Sequence, residues 1–167
     1  SGEIQFRGRT VFSGYWNAPD LTAQSFTDDG WYRTGDLGHL DDGGRLILSG
    51  RIKDMIVLPN GFNVYPEDIE NALRMEGLRE AVVIETQPGR IEAIVVQDPG
   101  ATAEAFKERV DAAVKAANAR LGANQRVVGW RVWPAEDFPR THTLKVKRDP
   151  IRHWAAAEVS MPVRDGA

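Results

Sequence analysis

Residues 50–56 read GRIKDMI, and residues 61–70 read GFNVYPEDIE. The first stretch is a charged turn that leads into an apolar extended segment, and the second stretch begins a helix. Pro66 suits the first helical position, where its missing N–H costs nothing, while Glu67 and Asp68 place negative charge at the positive end of the helix dipole. The two stretches therefore predict a strand, a turn and a helix in succession.

The predicted elements differ on the two sides of residue 50. Before it, short strands and turns dominate, and a hairpin is expected to join residues 37–40 with residues 46–48. After it, a helix, two antiparallel strands, a second helix and a further strand are predicted at residues 66–75, 81–85, 91–96, 102–121 and 127–133. This order indicates an α+β fold: a short β-rich segment followed by a compact domain in which helices flank a small sheet.

Composition excludes several classes of function. The net charge is −3, which leaves no basic footprint for nucleic acid. The chain has no cysteine, so disulfides, thiolate zinc sites and a thiol nucleophile are excluded. His39, His142 and His153 lack the spacing of metal ligands, and we expect no metal site on the chain. No apolar run reaches membrane-spanning length, so we expect no transmembrane segment. The absence of cysteine is compatible with the cytoplasm, where we expect the protein to lie.

Further strings of the sequence join the quoted stretches in resembling one family. They are WYRTGD at residues 31–36 and PRTHTLKVKR at residues 139–148. In this order the strings are similar to the motifs of the adenylate-forming superfamily, which includes acyl- and aryl-CoA synthetases, peptide-synthetase adenylation domains and firefly luciferase. The wording DMI and NVYP most resembles that of fatty acyl-CoA synthetases. The likeness runs from about residue 3 to about residue 154.

The resemblance implies a nucleotide site that contains Asp36 and Arg51. The Asp of the family motif accepts hydrogen bonds from both ribose hydroxyls of ATP, a task that suits the two oxygens of a carboxylate. The family Arg reaches the ribose and the phosphate with a permanently charged, fork-shaped guanidinium. Without the resemblance, Asp36 would be interpreted as a turn residue after a glycine, and Arg51 as a surface arginine at the end of a hairpin.

The resemblance also implies that Lys145 is the catalytic lysine. In the family motif Pro-x-Thr-x-x-Gly-Lys-Val/Ile-x-Arg, this lysine stabilises the negative charge that develops as the carboxylate meets the α-phosphate. The sequence departs from the motif at Leu144, where the family has glycine, and leucine resists backbone conformations that glycine permits. The alternatives are a solvated basic stretch without a role in catalysis and a patch that binds phosphate or nucleic acid.

Three further residues take roles from the resemblance. Lys53 occupies the hinge position, at which the backbone torsions change as the small domain rotates, and Gly61 and Phe62 correspond to the loop that lines the pantetheine passage. The alternatives are an exposed lysine in a charged turn and simple turn geometry. The implied domains are residues 1–51, the end of the large adenylate-forming domain, and residues 52–167, the mobile C-terminal lid.

The implied parent reaction uses ATP, Mg²⁺ and CoA to convert a fatty or other carboxylic acid first into an acyl-adenylate and then into a thioester. The family's large N-terminal part is not in this sequence: its phosphate-binding loop, adenine pocket and acyl pocket are missing. We therefore expect a C-terminal fragment that is inactive in isolation and whose partner is that N-terminal domain. We also predict dimerisation or strand exchange through residues 3–50, whose strands have lost neighbours.

Two other functions stay open at this stage. The chain could be a non-catalytic module for nucleotide or CoA binding, or for regulation, that is derived from the lid. It could also belong to an adenylation enzyme that delivers its acyl group to a carrier protein instead of to CoA. The quoted strings are compatible with each of these functions.

Overall fold

The computed structural model describes residues 2–159. In chain order its strands and helices are β1 (Gly2–Phe6), α1 (Pro19–Ser25), β2 (Tyr32–Leu40), β3 (Leu46–Arg51), β4 (Ile56–Val57), β5 (Asn63–Val64), α2 (Pro66–Met75), β6 (Ala81–Gln87), β7 (Arg90–Val95), α3 (Ala103–Arg120), β8 (Gly129–Val132) and α4 (Arg148–Val159). A short 3-10 helix at Ile52–Asp54 follows β3. The contacts between residues divide the chain into two compact units, between Met55 and Ile56.

The first unit is built on an antiparallel sheet in the order β1-β2-β3. The register of β2 against β3 shifts between Leu37 and Gly38. Gly38 is required there by close packing, because a Cβ at this position would lie 2.5 Å from the carbonyl oxygen of Ile47. The predicted hairpin is thus confirmed, and β2 extends further towards the N-terminus than expected, so that Thr34, Gly35 and Asp36 lie in a strand.

The second unit contains the small hairpin β4-β5 and the sheet β6-β7-β8. In that sheet β6 and β7 are antiparallel, as predicted, while β8 lies parallel to β7. The hairpin was not predicted as such, since β5 has only two residues before Pro66 begins the next helix. The unit mixes one parallel pair with antiparallel pairs.

Both faces of the β6-β7-β8 sheet are covered, so its strands are apolar on both sides. One face packs against α2 and α3, and the other against α4. Successive residues of β6 alternate between the two cores, with Val83 on the side of α2 and α3 and Val82 and Ile84 on the side of α4. At about 25 cal/mol per Å² of apolar surface, burial on two faces is the main stabilising term of this unit.

The helix ends follow from local sequence. Pro66 begins α2, and Gly77, with φ of +85°, lies just beyond its end. Thr102 caps α3, where its side chain accepts a hydrogen bond of 3.3 Å from the Ala105 amide. The α+β class and the sheet flanked by helices are confirmed. Among residues 2–159, no helix is long and apolar enough to cross a membrane.

Candidate functional site

The structure brings Asp36 and Arg51 together within the first unit. They are paired across β2 and β3, and Arg51 Nε lies 3.2 Å from Asp36 Oδ1. Both side chains are nearly half exposed, at 44% for Arg51 and 43% for Asp36. An ion pair this exposed is worth at most about 1 kcal/mol, so a ligand can displace it at little cost. The pair therefore presents a carboxylate and a guanidinium side by side to solvent.

Two neighbours hold this pair in place. Gly35, with φ of +72°, turns the strand so that Arg51 Nη2 passes over it, and a Cβ on Gly35 would lie 3.3 Å from that nitrogen. Arg51 Nη2 also donates to the carbonyl oxygen of Thr34 at 3.2 Å. Thr34 Oγ1 in turn accepts from the Asp36 amide at 3.0 Å and donates to the Ile4 carbonyl at 2.7 Å. The positions of both charged groups are thus coupled to the backbone of β1 and β2.

Glu3 is a positioning residue that the sequence analysis did not identify. Its Oε1 accepts from the Gly35 amide at 3.2 Å, and its Oε2 pairs with Arg33 at 3.3 Å. Nothing near Glu3 in sequence indicates this contact, because Gly35 lies 32 residues away. On β2, which also contains Gly35, a hydrogen bond with Tyr15 raises the pKa of Tyr32 above its ordinary value, and burial adds to the effect.

The predicted hinge residue Lys53 lies exposed in the 3-10 helix at Ile52–Asp54. The Met55 amide ends this turn by donating to the carbonyls of Arg51 at 3.1 Å and Ile52 at 3.3 Å. Lys53 is two residues before the division between the two compact units. This location is compatible with a hinge, and the hinge itself stays a prediction.

Gly61 and Phe62 lie in the turn that joins β4 to β5. Gly61 has φ of +79°, which a side chain would strain, so turn geometry alone accounts for the glycine. The turn is closed by the Leu58 amide donating to the Phe62 carbonyl at 2.9 Å. The Phe62 ring is 47% exposed. The turn therefore projects an aromatic side chain into solvent beside an unobstructed glycine.

A cleft of about 380 Å³ lies in the same unit and includes Pro59 and Asn60 of this turn. Its other wall carries Asn124 and Arg126, and Asn60 Nδ2 bonds Asn124 Oδ1 at 3.2 Å. The Arg126 side chain is exposed, and within residues 2–159 it makes no ion pair. The cleft thus combines apolar walls with a cation that is available to a ligand.

A three-residue hairpin loop in the second unit, residues 142–144, leads into Lys145. Residues 141–145 are called the Lys145 loop below. The Thr141 amide donates to the Lys145 carbonyl at 2.8 Å, and the Leu144 amide donates to the Thr141 carbonyl at 2.9 Å. Leu144 has φ of +64°, the left-handed conformation in which glycine is favoured at this position of such loops. The Lys145 side chain is exposed, and in the described part of the chain its ammonium has no carboxylate partner.

Arg140 stands at the base of this loop between two carboxylates. Its Nε donates to Asp137 Oδ2 at 2.9 Å, and its Nη2 lies 2.8 Å from Asp137 Oδ1 and 2.5 Å from Glu80 Oε2. These hydrogen bonds lower the pKa of Asp137 from 3.8 to about 2 and raise the pKa of Arg140 further above its ordinary value. The sequence analysis assigned no role to Asp137 or Glu80.

The three histidines do not belong to a metal site in the described part of the chain. Within residues 2–159 there is no group of three or more His, Asp or Glu side chains that could hold a metal ion. His142 lies in the Lys145 loop and is exposed, while His39 lies in β2 and His153 in α4. Residues 2–159 therefore offer no set of three carboxylate or imidazole ligands that fits a resident metal such as Mg²⁺.

Comparisons with known proteins agree with the resemblance to adenylate-forming enzymes. A long-chain-fatty-acid–CoA ligase of Mycobacterium tuberculosis is 36% identical over an alignment 185 residues long, and the alignment covers 95% of this chain and 30% of the relative. A sulfoacetate–CoA ligase of Cupriavidus necator is 46% identical over 84 residues, covering 50% of this chain and 16% of the relative. The chain thus spans less than a third of the length of the relatives that it matches.

A solved structure and a family model support the same family. ATP-bound MatB from Rhodopseudomonas palustris superposes with a TM-score of 0.72 at 32% identity, over 93% of this chain and 30% of that one. The model of the AMP-binding enzyme C-terminal domain matches residues 53–160. This chain belongs to the AMP-binding enzyme C-terminal domain family, and its fold is that of the adenylate-forming enzymes, among them the CoA ligases that it resembles.

Proposed function

We propose that this chain is the C-terminal portion of an ATP-dependent acyl-CoA synthetase that joins a fatty or other carboxylic acid first to AMP and then to CoA. The observation that carries the proposal is the exposed pair of Asp36 and Arg51 on neighbouring strands. Similarity to CoA ligases along 95% of the chain supports the reaction class. A cytoplasmic location and a role in fatty acid metabolism remain predictions.

In the first half-reaction, Asp36 accepts hydrogen bonds from the ribose hydroxyls, and Arg51 binds the phosphate. The two side chains form an ion pair, with 3.2 Å between Arg51 Nε and Asp36 Oδ1. Nucleotide binding replaces this weak pair with charge-assisted hydrogen bonds from hydroxyls to the carboxylate and from the guanidinium to phosphate oxygens, which are stronger than neutral ones.

Lys145 is the catalytic residue of the proposal. As the carboxylate attacks the α-phosphorus and pyrophosphate leaves, its ammonium stabilises the negative charge on the reacting oxygens. An exposed ammonium without a carboxylate partner is available for this task, because no existing ion pair has to be broken. Leu144 takes a left-handed conformation that glycine adopts readily, which supports retention of the loop's function despite the substitution.

In the second half-reaction, rotation about Lys53 withdraws Lys145 and presents the turn with Gly61 and Phe62 to the CoA thiol, which displaces AMP. The cleft beside this turn supports the proposal, since its apolar walls suit the pantetheine chain and Arg126 offers a positive charge to a CoA phosphate. The thiol sulfur attacks the acyl carbonyl carbon, the bond from that carbon to the phosphate oxygen breaks, and AMP leaves with the bonding electrons while the thiol proton passes to solvent.

The chain on its own is proposed to be inactive and to require the N-terminal domain that its longer relatives contain. The first unit exposes apolar side chains on β2 and β3: Leu40, Leu46 and Leu48 on one face of the sheet and Ile47 on the other. Exposed apolar side chains of this kind support the prediction that residues 3–50 dimerise or exchange strands when no N-terminal domain covers them.

Reconstitution tests the proposal. Residues 1–167 are joined to the N-terminal part of the Mycobacterium tuberculosis relative in place of its own C-terminal part, which gives a reconstituted ligase, and acyl-CoA formation from a long-chain fatty acid is measured. We expect activity from the reconstituted ligase and none from either part alone. Absence of activity with both parts folded would contradict the proposal, and AMP or CoA binding by such an inactive protein would favour a non-catalytic module. Transfer only to a carrier-protein thiol would identify that acceptor instead.

A further inference from the structure

The guanidinium of Arg140 has a contact beyond its two carboxylates. Its Nη1 donates to the carbonyl oxygen of Leu144 at 3.0 Å, while Nε and Nη2 are held by Asp137 and Nη2 also by Glu80. The guanidinium is planar, so two carboxylates that hold two of its edges also determine the direction in which the N–H groups of its third edge point. Arg140 therefore presents a fixed donor to one particular carbonyl in the Lys145 loop.

That carbonyl belongs to the peptide that joins Leu144 to Lys145. Leu144 has the left-handed φ of +64° and its side chain is 74% exposed, so side-chain packing contributes little to holding this conformation. The Leu144 amide bonds to Thr141, and its carbonyl bonds to Arg140. Together the two hydrogen bonds fix the orientation of the peptide that leads into Lys145.

We infer that Arg140 is a positioning residue for Lys145: anchored by Asp137 and Glu80, it holds the Leu144 carbonyl and thereby keeps the loop in the left-handed conformation that directs the lysine side chain. The inference rests on the catalytic role proposed for Lys145. Arg140 contacts no substrate in this account. Its contribution is required because Leu144 lacks the conformational freedom of glycine.

A purely structural role makes a different prediction. If Arg140 only ties residues 137–140 to Glu80, a change at Leu144 cannot compensate for its loss. If Arg140 holds the left-handed loop, Leu144→Gly restores what Arg140→Ala removes, because glycine adopts this conformation without steric cost. The Arg140→Ala/Leu144→Gly double variant therefore separates the two roles.

The experiment measures ATP–pyrophosphate exchange in the reconstituted ligase. For Arg140→Ala we expect kcat to fall on the order of tenfold to a hundredfold, as small misplacements of catalytic groups do, with KM for ATP little changed. The double variant should recover most of this loss. Arg152→Ala is the matched control, because Arg152 is in the same unit and also pairs with an aspartate three residues earlier, Asp149. It should keep wild-type exchange.

Hydrogen exchange in the 167-residue chain gives a readout that is independent of activity. The Leu144 amide, bonded to Thr141, should exchange faster in Arg140→Ala than in wild type, while amides in the core of α3 keep their rates. If Arg140→Ala does not fold, Arg140→Lys replaces it, since lysine keeps the charge and lacks the fork.

The outcomes distinguish this inference from the proposed function. Full exchange activity in Lys145→Ala would overturn the role of Lys145 and the inference with it. Loss of activity in Lys145→Ala together with wild-type kcat in Arg140→Ala would overturn the positioning role alone. An inactive Arg140→Ala that Leu144→Gly fails to rescue would also overturn it, because the defect would then lie outside the loop conformation.

Discussion

Arg148 and Glu70 form a bidentate ion pair that joins the beginning of α4 to α2. Arg148 Nη1 lies 2.6 Å from Glu70 Oε1, and Arg148 Nη2 lies 2.7 Å from Glu70 Oε2. Their side chains are only 14% and 10% exposed, and Glu70 Oε1 also accepts from the Val83 amide at 2.8 Å. The pair thus connects the end of the Lys145 motif to the helix and the strand of the core.

Removing one partner of this pair should destabilise the protein strongly. We expect Arg148→Ala to lower the free energy of unfolding by about 3–5 kcal/mol, because Glu70 would be left as a buried charge without its partner. Urea denaturation of the chain measures this. The exposed pair of Lys107 and Asp111 is the control, and Lys107→Ala should cost less than about 1 kcal/mol. Equal losses in the two variants would show that burial does not control the energy of the pair.

Leu144→Gly should stabilise the loop. A left-handed conformation costs a residue other than glycine about 1–2 kcal/mol, while glycine costs about 0.5–1 kcal/mol in backbone entropy. The difference predicts a gain of about 0.5–1 kcal/mol, measured by thermal denaturation. Leu144→Val is the matched comparison, because its branched Cβ resists positive φ, and it should destabilise the protein. A lower melting temperature for Leu144→Gly than for wild type would contradict the strain at this position.

The contact between Asp137 and Arg140 predicts a specific pH dependence. Hydrogen bonds from Arg140 lower the pKa of Asp137 from 3.8 to about 2 in the folded chain. Since the folded pKa is the lower one, the pair stabilises the fold fully above the unfolded value of 3.8, and this contribution is lost as the pH falls towards 2.

NMR of the Asp137 carboxyl carbon tests this shift. In the wild-type chain the carboxyl should stay ionised at about pH 3, below the ordinary pKa of aspartate. In Arg140→Ala its pKa should return towards 3.8, because the largest cause of the shift is removed. A midpoint near 3.8 in both chains would mean that the contact is absent in solution.

Arg126→Ala should affect only the thioester half-reaction of the reconstituted ligase. Loss of one charge-assisted contact with a CoA phosphate costs about 1.5–3 kcal/mol, which corresponds to a rise in KM for CoA of roughly 10- to 100-fold. ATP–pyrophosphate exchange should not change, because CoA takes no part in it. Lys115→Ala, an exposed cation of α3 that does not line the cleft, is the control. An unchanged KM for CoA in Arg126→Ala would remove the cleft from the CoA site.

Features with a local cause could be predicted from the sequence. Pro66 and Thr102 identify the beginnings of α2 and α3, and both helices were predicted from the sequence. Contacts between distant residues could not be predicted in this way. The pairing of Asp36 with Arg51 depends on a strand register that shifts at Gly38, and such irregularities have no short-range signal.

The Lys145 loop shows the same limit. Leu144 was identified as a departure from the family motif, yet its positive φ and the donor that holds its carbonyl became visible only in the structure. Arg140 meets Glu80 across 60 residues of sequence, so spacing along the chain contains no information about this contact. The parallel arrangement of β8 beside β7 was likewise not predicted, since a strand's composition does not specify its neighbour.

ATP–pyrophosphate exchange by the reconstituted ligase with a long-chain fatty acid, compared between wild type and Lys145→Ala, tests whether Lys145 is the catalytic residue. We expect exchange to collapse in Lys145→Ala while the melting temperature stays the same, because the exposed side chain makes no ion pair within residues 2–159. Equal exchange in the two proteins would contradict a catalytic role for Lys145 and leave residues 139–148 as a solvated basic surface.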